Sequence, residues 1–381
     1  MLKNKQWSYW ERTQFMHEID FVVVGAGIVG YSTALKLRDI HPLAKIVVLE
    51  RGNLPSGASS KNAGFACFGS ASEIFDDIQE FGEKIVWDTV RLRWNGLQAL
   101  RTQIGDDGLK LLNHGSWDLF TSKEMETFDA VRPHLDHFNS CLKEITGESD
   151  VFSIDNSVQE RFGFDKITSS FKNRLEGQID TGSMNQAFYQ KIISKDIRVL
   201  FGCEVLSIEE GGNSVSLTTN IGELSAKKAA ICTNGFAKQL LNEDVHPARA
   251  QVLITKPIDN LKIQGTFHYQ KGYYYFRNID NRILFGGGRN LDLEGETTTE
   301  MVNSDTILDA LKEILQTVIL PTTTYEIDYS WAGIMGVGKT KKPIIKNVSP
   351  SIACGIRLGG MGIAIGSLVG QELAELISKE A

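Results

Sequence analysis

At 381 residues the chain is longer than a single core of typical size, so two domains are the natural expectation. Hydrophobic residues make up 42% of the chain and charged residues 23%, proportions that fit a globular protein and argue against a disordered one. The net charge of −7 argues against a nucleic-acid surface or an anionic membrane surface, because phosphate contacts need clustered Lys and Arg.

The five cysteines are scattered and include no CxxC pair, so the sequence predicts neither a disulfide framework nor a zinc site and fits a reducing cytoplasm. The segment before residue 18 lacks a continuous apolar core, so we expect no signal peptide or membrane span there. His134 and His137 flank Asp136 on a polar helix with no evident third ligand; we expect solvated side chains and no metal ion.

The first predicted elements form a βαβ unit. DFVVV at 20–24 and KIVVLE at 45–50 have the apolar, β-branched character of buried parallel strands, and helical apolar spacing lies between them. The crossover is expected to be right-handed and the sheet parallel. An α/β fold class follows.

Further along the chain, residues 73–104 have a helical pattern. Asp180 or Thr181 is expected to cap a helix that leads to the strand RVLFGCEV. Residues 248–289 favour antiparallel strands, and the chain ends in a glycine-rich bend followed by a helix from about Gly362. No linker is evident, so the two domains are expected to be interleaved.

The motif GxGxxG, formed by Gly25, Gly27 and Gly30, follows the first strand and opens the helix, and Glu50 ends the next strand. In this context Gly25 permits a tight turn, Gly27 lets a pyrophosphate approach the backbone, and Gly30 lets helix and strand pack closely. A carboxylate at the position of Glu50 is suited to a ribose hydroxyl. A dinucleotide site is predicted; the alternative is a helix start that is merely rich in glycine.

The segment GASSKNAG at 57–64 carries almost no large side chains. Its backbone can therefore lie against a flat ligand and offer N–H groups, hydroxyls and an amide at close range. An exposed flexible linker is the alternative, but the chain continues with the apolar residues Phe65–Phe68, which disfavours it.

Several motifs in order along the chain carry a resemblance to a known family: VVVGAGIVG, LERG, GASSKNAGF, IDTGSMNQAFYQ, HPARAQ, YYYFRNIDNRILFGGGR, YSWAGI and RLGGMGIAIGS. Together they resemble the D-amino-acid-oxidase-like FAD-dependent oxidoreductases, which include glycine oxidase, sarcosine oxidase and γ-glutamylputrescine oxidoreductase. The resemblance covers almost the whole chain.

The resemblance implies a Rossmann-type FAD-binding domain interleaved with a substrate domain whose antiparallel sheet covers the flavin. The FAD-binding domain would comprise residues 18–80, 176–246 and 330–381, the substrate domain residues 81–175 and 247–329, and residues 1–17 would form an N-terminal lead.

The resemblance also implies site residues. The cofactor-binding residues would be Gly25, Gly27, Gly30, Glu50, Arg51, Ser59, Ser60, Asn62, Gly64, Val205, Gly235, Gly359, Gly360, Met361 and Gly362. The helix beginning near Gly362 would stabilise the reduced flavin, because its free N–H groups and dipole favour negative charge. Tyr274, in the aromatic strand, would be the counterpart of a substrate-holding tyrosine of glycine oxidase.

Two departures from the family pattern concern substrate and cofactor. Met335 stands where glycine oxidase has an arginine that grips the substrate carboxylate, so a small free amino acid held in that way is not expected. Arg277, Arg289 and Arg357 are candidate replacements, with Arg357 ranked first. The region after Trp331 has no cysteine like the one that tethers flavin in sarcosine oxidase, so FAD is expected to be bound non-covalently.

The resulting hypothesis is an FAD-dependent amine or amino-acid oxidase or dehydrogenase. It would take hydride from a carbon next to nitrogen and give an imine that water hydrolyses, with oxygen or another electron acceptor. One alternative is a tRNA-modifying FAD oxidase of the same family, which the acidic charge balance disfavours. Another is a non-catalytic flavin-binding assembly protein.

Overall fold

The computed structural model describes residues 7–212 and 214–379. Residues 1–6 of the expected N-terminal lead, and residues 213, 380 and 381 of the expected FAD-binding domain, lie outside the described residues. Within the described ranges, no helix combines the length and apolar character that a membrane span requires.

Eighteen strands and eleven α-helices are defined in the described residues. The strands are β1 (Ile19–Val24), β2 (Ile46–Glu50), β3 (Phe65–Ala66), β4 (Ser116–Thr121), β5 (Phe152–Ile154), β6 (Ile167–Asn173), β7 (Gly177–Gln178), β8 (Arg198–Phe201), β9 (Val205–Gly211), β10 (Ser214–Thr219), β11 (Gly222–Ile231), β12 (His246–Thr255), β13 (Thr266–Tyr269), β14 (Tyr274–Ile279), β15 (Arg282–Gly287), β16 (Ile327–Val337), β17 (Ile344–Ser349) and β18 (Ile352–Ile356). The helices are α1 (Ile28–Ile40), α2 (Ala58–Lys61), α3 (Ala71–Phe81), α4 (Glu83–Ile104), α5 (Asp106–Leu109), α6 (Met125–Val131), α7 (Leu135–Thr146), α8 (Val158–Phe162), α9 (Thr181–Ser194), α10 (Asp305–Ile314) and α11 (Gly362–Ser378).

The first sheet has the order β17-β18-β11-β1-β2-β8, with the hairpin of β9 and β10 attached to β11. Strand β1 pairs in parallel with both β2 and β11, and every residue of β2 is buried. Helix α11 packs closely on α1 because Gly370 carries no Cβ, which would lie 2.5 Å from the Val29 carbonyl oxygen. The predicted βαβ unit and α/β fold class are confirmed.

The second sheet has the order β16-β12-β15-β14-β13-β4-β6-β5, and its pairs are antiparallel except for β13 with β4. One of its faces packs on an aromatic core in which the rings of Phe267 and Phe276 stack 4.8 Å apart. The strands predicted within residues 248–289 are therefore present, and they form the centre of this sheet.

The predicted helical region 73–104 is two helices, not one. Helix α3 ends and α4 begins at Gly82, whose φ of +82° is a backbone conformation that L side chains rarely adopt. The break lets α3 and α4 pack against each other as a hairpin.

The division into two domains remains a prediction. The two sheets are built from chain segments that alternate along the sequence, as an interleaved organisation requires. The boundary predicted at residue 330 falls inside β16, which pairs with β12 along its length in the second sheet.

Candidate functional site

A cavity of about 850 Å³ lies between the two sheets. One wall comes from the first sheet and its helices: the turn between β1 and α1, the end of β2, the segment 57–65 and the start of α11. The opposite wall comes from β12, β13, β15 and β16 of the second sheet and from Tyr273 and Tyr275 on or beside β14. The cavity is therefore where the two halves of the molecule meet.

Gly25 and Gly30 make the turn that opens this cavity. Gly25 has a φ of +108°, and a Cβ on it would lie 2.9 Å from the carbonyl oxygen of Cys232. A Cβ on Gly30 would lie 1.8 Å from the Gly25 carbonyl oxygen. Gly25 lines the cavity and Gly30 does not, so Gly30 acts by letting helix α1 close onto strand β1.

Gly27 lines the cavity at the start of α1, and a Cβ there would lie 2.8 Å from the Ser59 hydroxyl oxygen. That hydroxyl accepts a hydrogen bond from the Ile28 N–H at 2.9 Å. The helix start and the segment 57–64 are thus held together where both line the cavity.

Glu50, at the end of β2, lines the cavity although it is only 7% exposed. One carboxylate oxygen accepts the Ala26 N–H at 3.1 Å, and the other accepts the Gly52 N–H at 2.9 Å. The carboxylate is thereby fixed against the β1–α1 turn. Arg51 also lines the cavity, and its guanidinium lies 3.7 Å from the ring centroid of Phe236.

The segment 57–64 contains the short helix α2 followed by a turn. Ser59, Asn62 and Gly64 line the cavity, as expected for cofactor-binding residues. Ser60 does not: its side chain is exposed, and its hydroxyl donates to the Pro55 carbonyl oxygen at 2.5 Å. The prediction for Ser60 is wrong because the helical turn of α2 directs its side chain away from the cavity.

Asn62 organises the turn after α2. Its side-chain oxygen accepts the Gly64 N–H at 2.9 Å and the Thr181 hydroxyl at 2.8 Å. Gly64 has a φ of +75°, and a Cβ there would lie 2.4 Å from the Ile179 carbonyl oxygen. Only glycine fits without displacing the backbone behind it.

Four residues expected to bind the cofactor line the cavity at the entry to α11: Gly359, Gly360, Met361 and Gly362. No side chain caps the N-terminus of α11. Val205, at the start of β9, also lines the cavity.

Gly235, expected to bind the cofactor, does not line the cavity. A Cβ there would lie 2.4 Å from the Met335 carbonyl oxygen. Gly235 instead packs the segment after β11 against β16. Its neighbours Thr233, Asn234 and Phe236 line the cavity.

In the aromatic segment 273–276, the expected residue Tyr274 does not line the cavity, but its two neighbours do. Tyr273 and Tyr275 line the cavity, whereas Tyr274 is buried in the core between Tyr269 and Phe285, with ring centroids about 6 Å away on each side. The assignment of Tyr274 to the substrate pocket is therefore corrected to its two neighbours, since alternate strand residues face opposite sides of the sheet.

Arg357 lines the cavity, but its guanidinium is engaged by the protein. Nη1 forms an ion pair with Asp244 at 2.8 Å, Nε donates to the Lys342 carbonyl oxygen at 3.0 Å, and Nη2 donates to the Thr340 hydroxyl at 3.1 Å. With all three nitrogens used, Arg357 is a structural residue at this place, contrary to its first rank as a substrate anchor.

Arg277 is 2% exposed and lies behind Gly64, outside the cavity lining. Its Nε has no hydrogen-bond partner in the described residues. Burial lowers the pKa of this guanidinium to about 10, against the opposing effect of Asp180 and Asp280. Arg277 is thus a buried cation beneath the segment that lines the cavity.

A cluster of ionised side chains in the cavity wall has no sequence motif. Lys341, between β16 and β17, forms ion pairs with Glu73 at 3.0 Å and with Asp77 at 2.7 Å, and Arg93 contacts Glu73 at 3.1 Å. Burial alone would raise the pKa of Glu73, but Arg93 and Lys341 lower it to about 2. These residues are far apart in sequence, so only a knowledge of which segments meet could have identified the cluster.

His134 and His137 lie in different surroundings. The ring of His134 packs on Phe75 and Phe138, whereas His137 contacts Glu83 and Cys141, and the ligand-type atoms of these last three residues lie close enough together to hold an ion. A second group, formed by Cys67, Glu176 and His268, has ligand-type atoms close enough together to hold an ion. Its Glu176 already accepts the N–H groups of Phe68 and Gly69.

The site fits a flavin dinucleotide. Gly25 and Gly27 leave a side-chain-free surface at a helix N-terminus, which suits a pyrophosphate. The segment 59–64 and the residues around the start of α11 line the same cavity, so a flat ring bound there would lie beside both segments. The second sheet covers the cavity with aromatic and apolar side chains.

Comparisons with known proteins agree with this geometry. The sequence model of the FAD dependent oxidoreductase family matches residues 20–376. Probable oxidoreductase OrdL of Haemophilus influenzae is 21% identical, over 98% of this chain and 86% of that protein. Gamma-glutamylputrescine oxidoreductase of Escherichia coli K12 is 22% identical, over 95% of this chain and 84% of that protein.

Among solved structures, glycine oxidase from Geobacillus kaustophilus superposes with a TM-score of 0.76, covers 96% of each chain and is 19% identical. At that identity the likeness shows the fold.

Proposed function

Because the chain belongs to the family of FAD-dependent oxidoreductases, we propose that it oxidises a C–N bond of an amine or amino acid. FAD is the cofactor of this family; when bound, it accepts hydride from the substrate and passes the electrons to an acceptor. The product is an imine, which water hydrolyses to a carbonyl compound. Two similar proteins, gamma-glutamylputrescine oxidoreductase and glycine oxidase, are named for amine substrates, which supports an amine substrate here.

The observation that carries the proposal is the continuity of one cavity. It runs from the glycine-lined turn at Gly25 and Gly27 to the aromatic face formed by Tyr273 and Tyr275. A cofactor and a second, smaller molecule can therefore meet inside the protein.

The residues of this chain would bind and orient the two molecules. Gly25, Gly27 and the N-terminus of α1 would hold the pyrophosphate, and Glu50 would accept a ribose hydroxyl. The uncapped N-terminus of α11 would stabilise negative charge at the ring edge it borders. On the other wall, Tyr275 and Met335 would exclude water from the reacting carbon.

Non-covalent FAD belongs to the same proposal. Three cysteines line the cavity: Cys67, Cys203 and Cys232. Burial raises the pKa of all three thiols, to about 11 for Cys203 and about 12 for Cys232. At neutral pH they are therefore protonated and poorly nucleophilic. We expect acid precipitation of the yellow holoprotein to release all of the FAD; flavin left on the washed precipitate would refute this point.

We further propose a cytoplasmic protein that acts on small molecules, with oxygen or another compound as electron acceptor. The five cysteines are all free thiols, as suits a reducing compartment.

The experiment is an anaerobic titration of the holoprotein with amines and amino acids, with 2-hydroxy acids as controls. Bleaching of the flavin band by an amine, with one carbonyl product trapped per flavin reduced, is the expected result. Bleaching by hydroxy acids alone would show that the protein oxidises a C–O bond and not a C–N bond. A flavin that no compound reduces would favour the non-catalytic alternative.

A further inference from the structure

Lysine and arginine side chains line the cavity at eight described positions: Arg51, Lys61, Arg93, Lys271, Arg289, Lys339, Lys341 and Arg357. Four of these are neutralised by ion pairs with carboxylates of the protein: Arg93 with Glu73, Lys271 with Asp76, Lys341 with Glu73 and Asp77, and Arg357 with Asp244. The other four form no ion pair with the described residues, so their positive charges are the ones left unbalanced by protein carboxylates.

Three of those four are poor candidates for binding a substrate, because of where they lie. Arg51 stacks on Phe236 beside Glu50, at the end of the cavity that suits a ribose. Lys61 belongs to α2, in the wall that suits the flavin ring. Lys339 is exposed to solvent.

Arg289 differs from these three. It is half-buried, it forms no ion pair with the described residues, and its Nε is buried without a hydrogen-bond partner among them. Desolvating part of a guanidinium without a partner is unfavourable, and the free energy is recovered when an anion binds to it.

The backbone fixes where Arg289 lies. Gly287 and Gly288 both have positive φ, +127° and +78°, and a Cβ on Gly287 would lie 2.1 Å from the Tyr273 carbonyl oxygen. The Gly288 N–H donates to that same oxygen at 3.0 Å. The glycine pair therefore holds Arg289 beside Tyr273, and both side chains line the cavity.

We propose that Arg289 binds a carboxylate of the substrate, so that the enzyme oxidises amines that also carry a carboxylate. A planar guanidinium can donate two parallel hydrogen bonds to a carboxylate, and Tyr273 lines the cavity beside it. The carboxylate is then held from the end of β15 rather than from β16, where Met335 offers no charge. This inference rests on the proposed amine oxidation.

The test compares matched ligands on matched variants. The ligands are ω-amino carboxylates from glycine to 6-aminohexanoate, each paired with its amide, and binding is measured by perturbation of the flavin spectrum. Wild type should bind at least one carboxylate more tightly than its amide. Arg289→Met should weaken binding of that carboxylate about 10- to 100-fold and leave binding of the matching amide unchanged.

Two further variants control the result. Arg289→Lys keeps the charge but loses the planar geometry, and is expected to lie between wild type and Arg289→Met. Lys339→Met removes an exposed positive charge from the same cavity and should leave the carboxylate preference intact. FAD content and melting temperature show whether each variant is folded. If Arg289→Met does not fold, the comparison of Arg289→Lys with wild type decides the role of Arg289.

The outcomes separate the two proposals. Equal loss of carboxylate and amide binding in the Arg289 variants, or an unchanged preference, overturns the role of Arg289 while amine oxidation stands. A wild-type flavin that binds the carboxylates selectively but is reduced by no amine leaves the anion site in place and removes the proposed reaction. A wild type that prefers no carboxylate overturns the inference directly.

Discussion

The two ends of the cavity are built in different ways. At the cofactor end the walls are backbone: Gly25 and Gly27 bring the chain to the surface without side chains, and the polar groups there bond to neighbouring N–H groups. At the substrate end the walls are side chains from distant segments, and most cations are paired with protein carboxylates. The first end is specified locally, whereas the second depends on which segments meet.

The largest expected effect tests the backbone end. Gly27→Val should abolish FAD binding, because the branched side chain would fill the space beside Ser59 and at the helix N-terminus. FAD content and calorimetric titration of the refolded apoprotein measure it.

The matched control is Gly211→Val. Gly211 ends β9 outside the cavity lining, and a Cβ there has no atom within 4 Å, so FAD affinity should stay close to wild type. Equal loss in both variants would mean that the cofactor end is not specified by close approach at Gly27.

A second prediction concerns Asp118, a buried residue of β4 in the second sheet. Burial raises the pKa of this carboxyl to about 6, despite the hydrogen bond from Ser72. Its protonation therefore stabilises the fold below about pH 4, and this stabilisation is lost as the pH rises through 6, by about 3 kcal/mol in total.

Asp118→Asn resembles the protonated form of the residue, so the variant should not lose this stability as the pH rises. In urea unfolding between pH 4 and pH 7, the stability of the variant relative to wild type should increase with pH. Parallel curves for the two proteins would show that Asp118 does not titrate in this range.

A third prediction returns to the cofactor end. Glu50→Gln should weaken FAD binding by about 1–3 kcal/mol, because one charge-assisted hydrogen bond is lost. Glu204→Gln removes the same charge from the lining of the same cavity and should have little effect. A larger loss for Glu204→Gln than for Glu50→Gln would reverse the assignment.

The smallest effect separates the two faces of the aromatic strand. Tyr275→Phe should raise KM for the amine substrate about 3- to 10-fold, as expected for one lost neutral hydrogen bond. Tyr274→Phe should leave KM unchanged, because Tyr274 is buried away from the cavity. Steady-state kinetics with both variants decide between the two faces.

The sequence predicts the cofactor end well because each of its features is local. Gly25, Gly27 and Glu50 lie in one βαβ unit, and their positions within that unit predict a tight turn beside a helix start. Ser60 shows where even this reasoning fails, since a single turn of helix directs its hydroxyl outwards.

At the substrate end the sequence could nominate residue types but not their surroundings. An error of one residue along a strand exchanges Tyr274 for its neighbours. The sequence does not show which of Arg357 and Arg289 has a carboxylate partner. Only the fold reveals that Asp244 pairs with Arg357.

The central claim is that hydride leaves a carbon bonded to nitrogen in this cavity. Anaerobic stopped-flow mixing of the holoprotein with a reducing amine, unlabelled or deuterated at that carbon, tests it most directly. We predict that flavin reduction is slower with the deuterated amine and that one deuterium per turnover is lost from that carbon. Equal rates, with all deuterium retained in the product, would contradict the account.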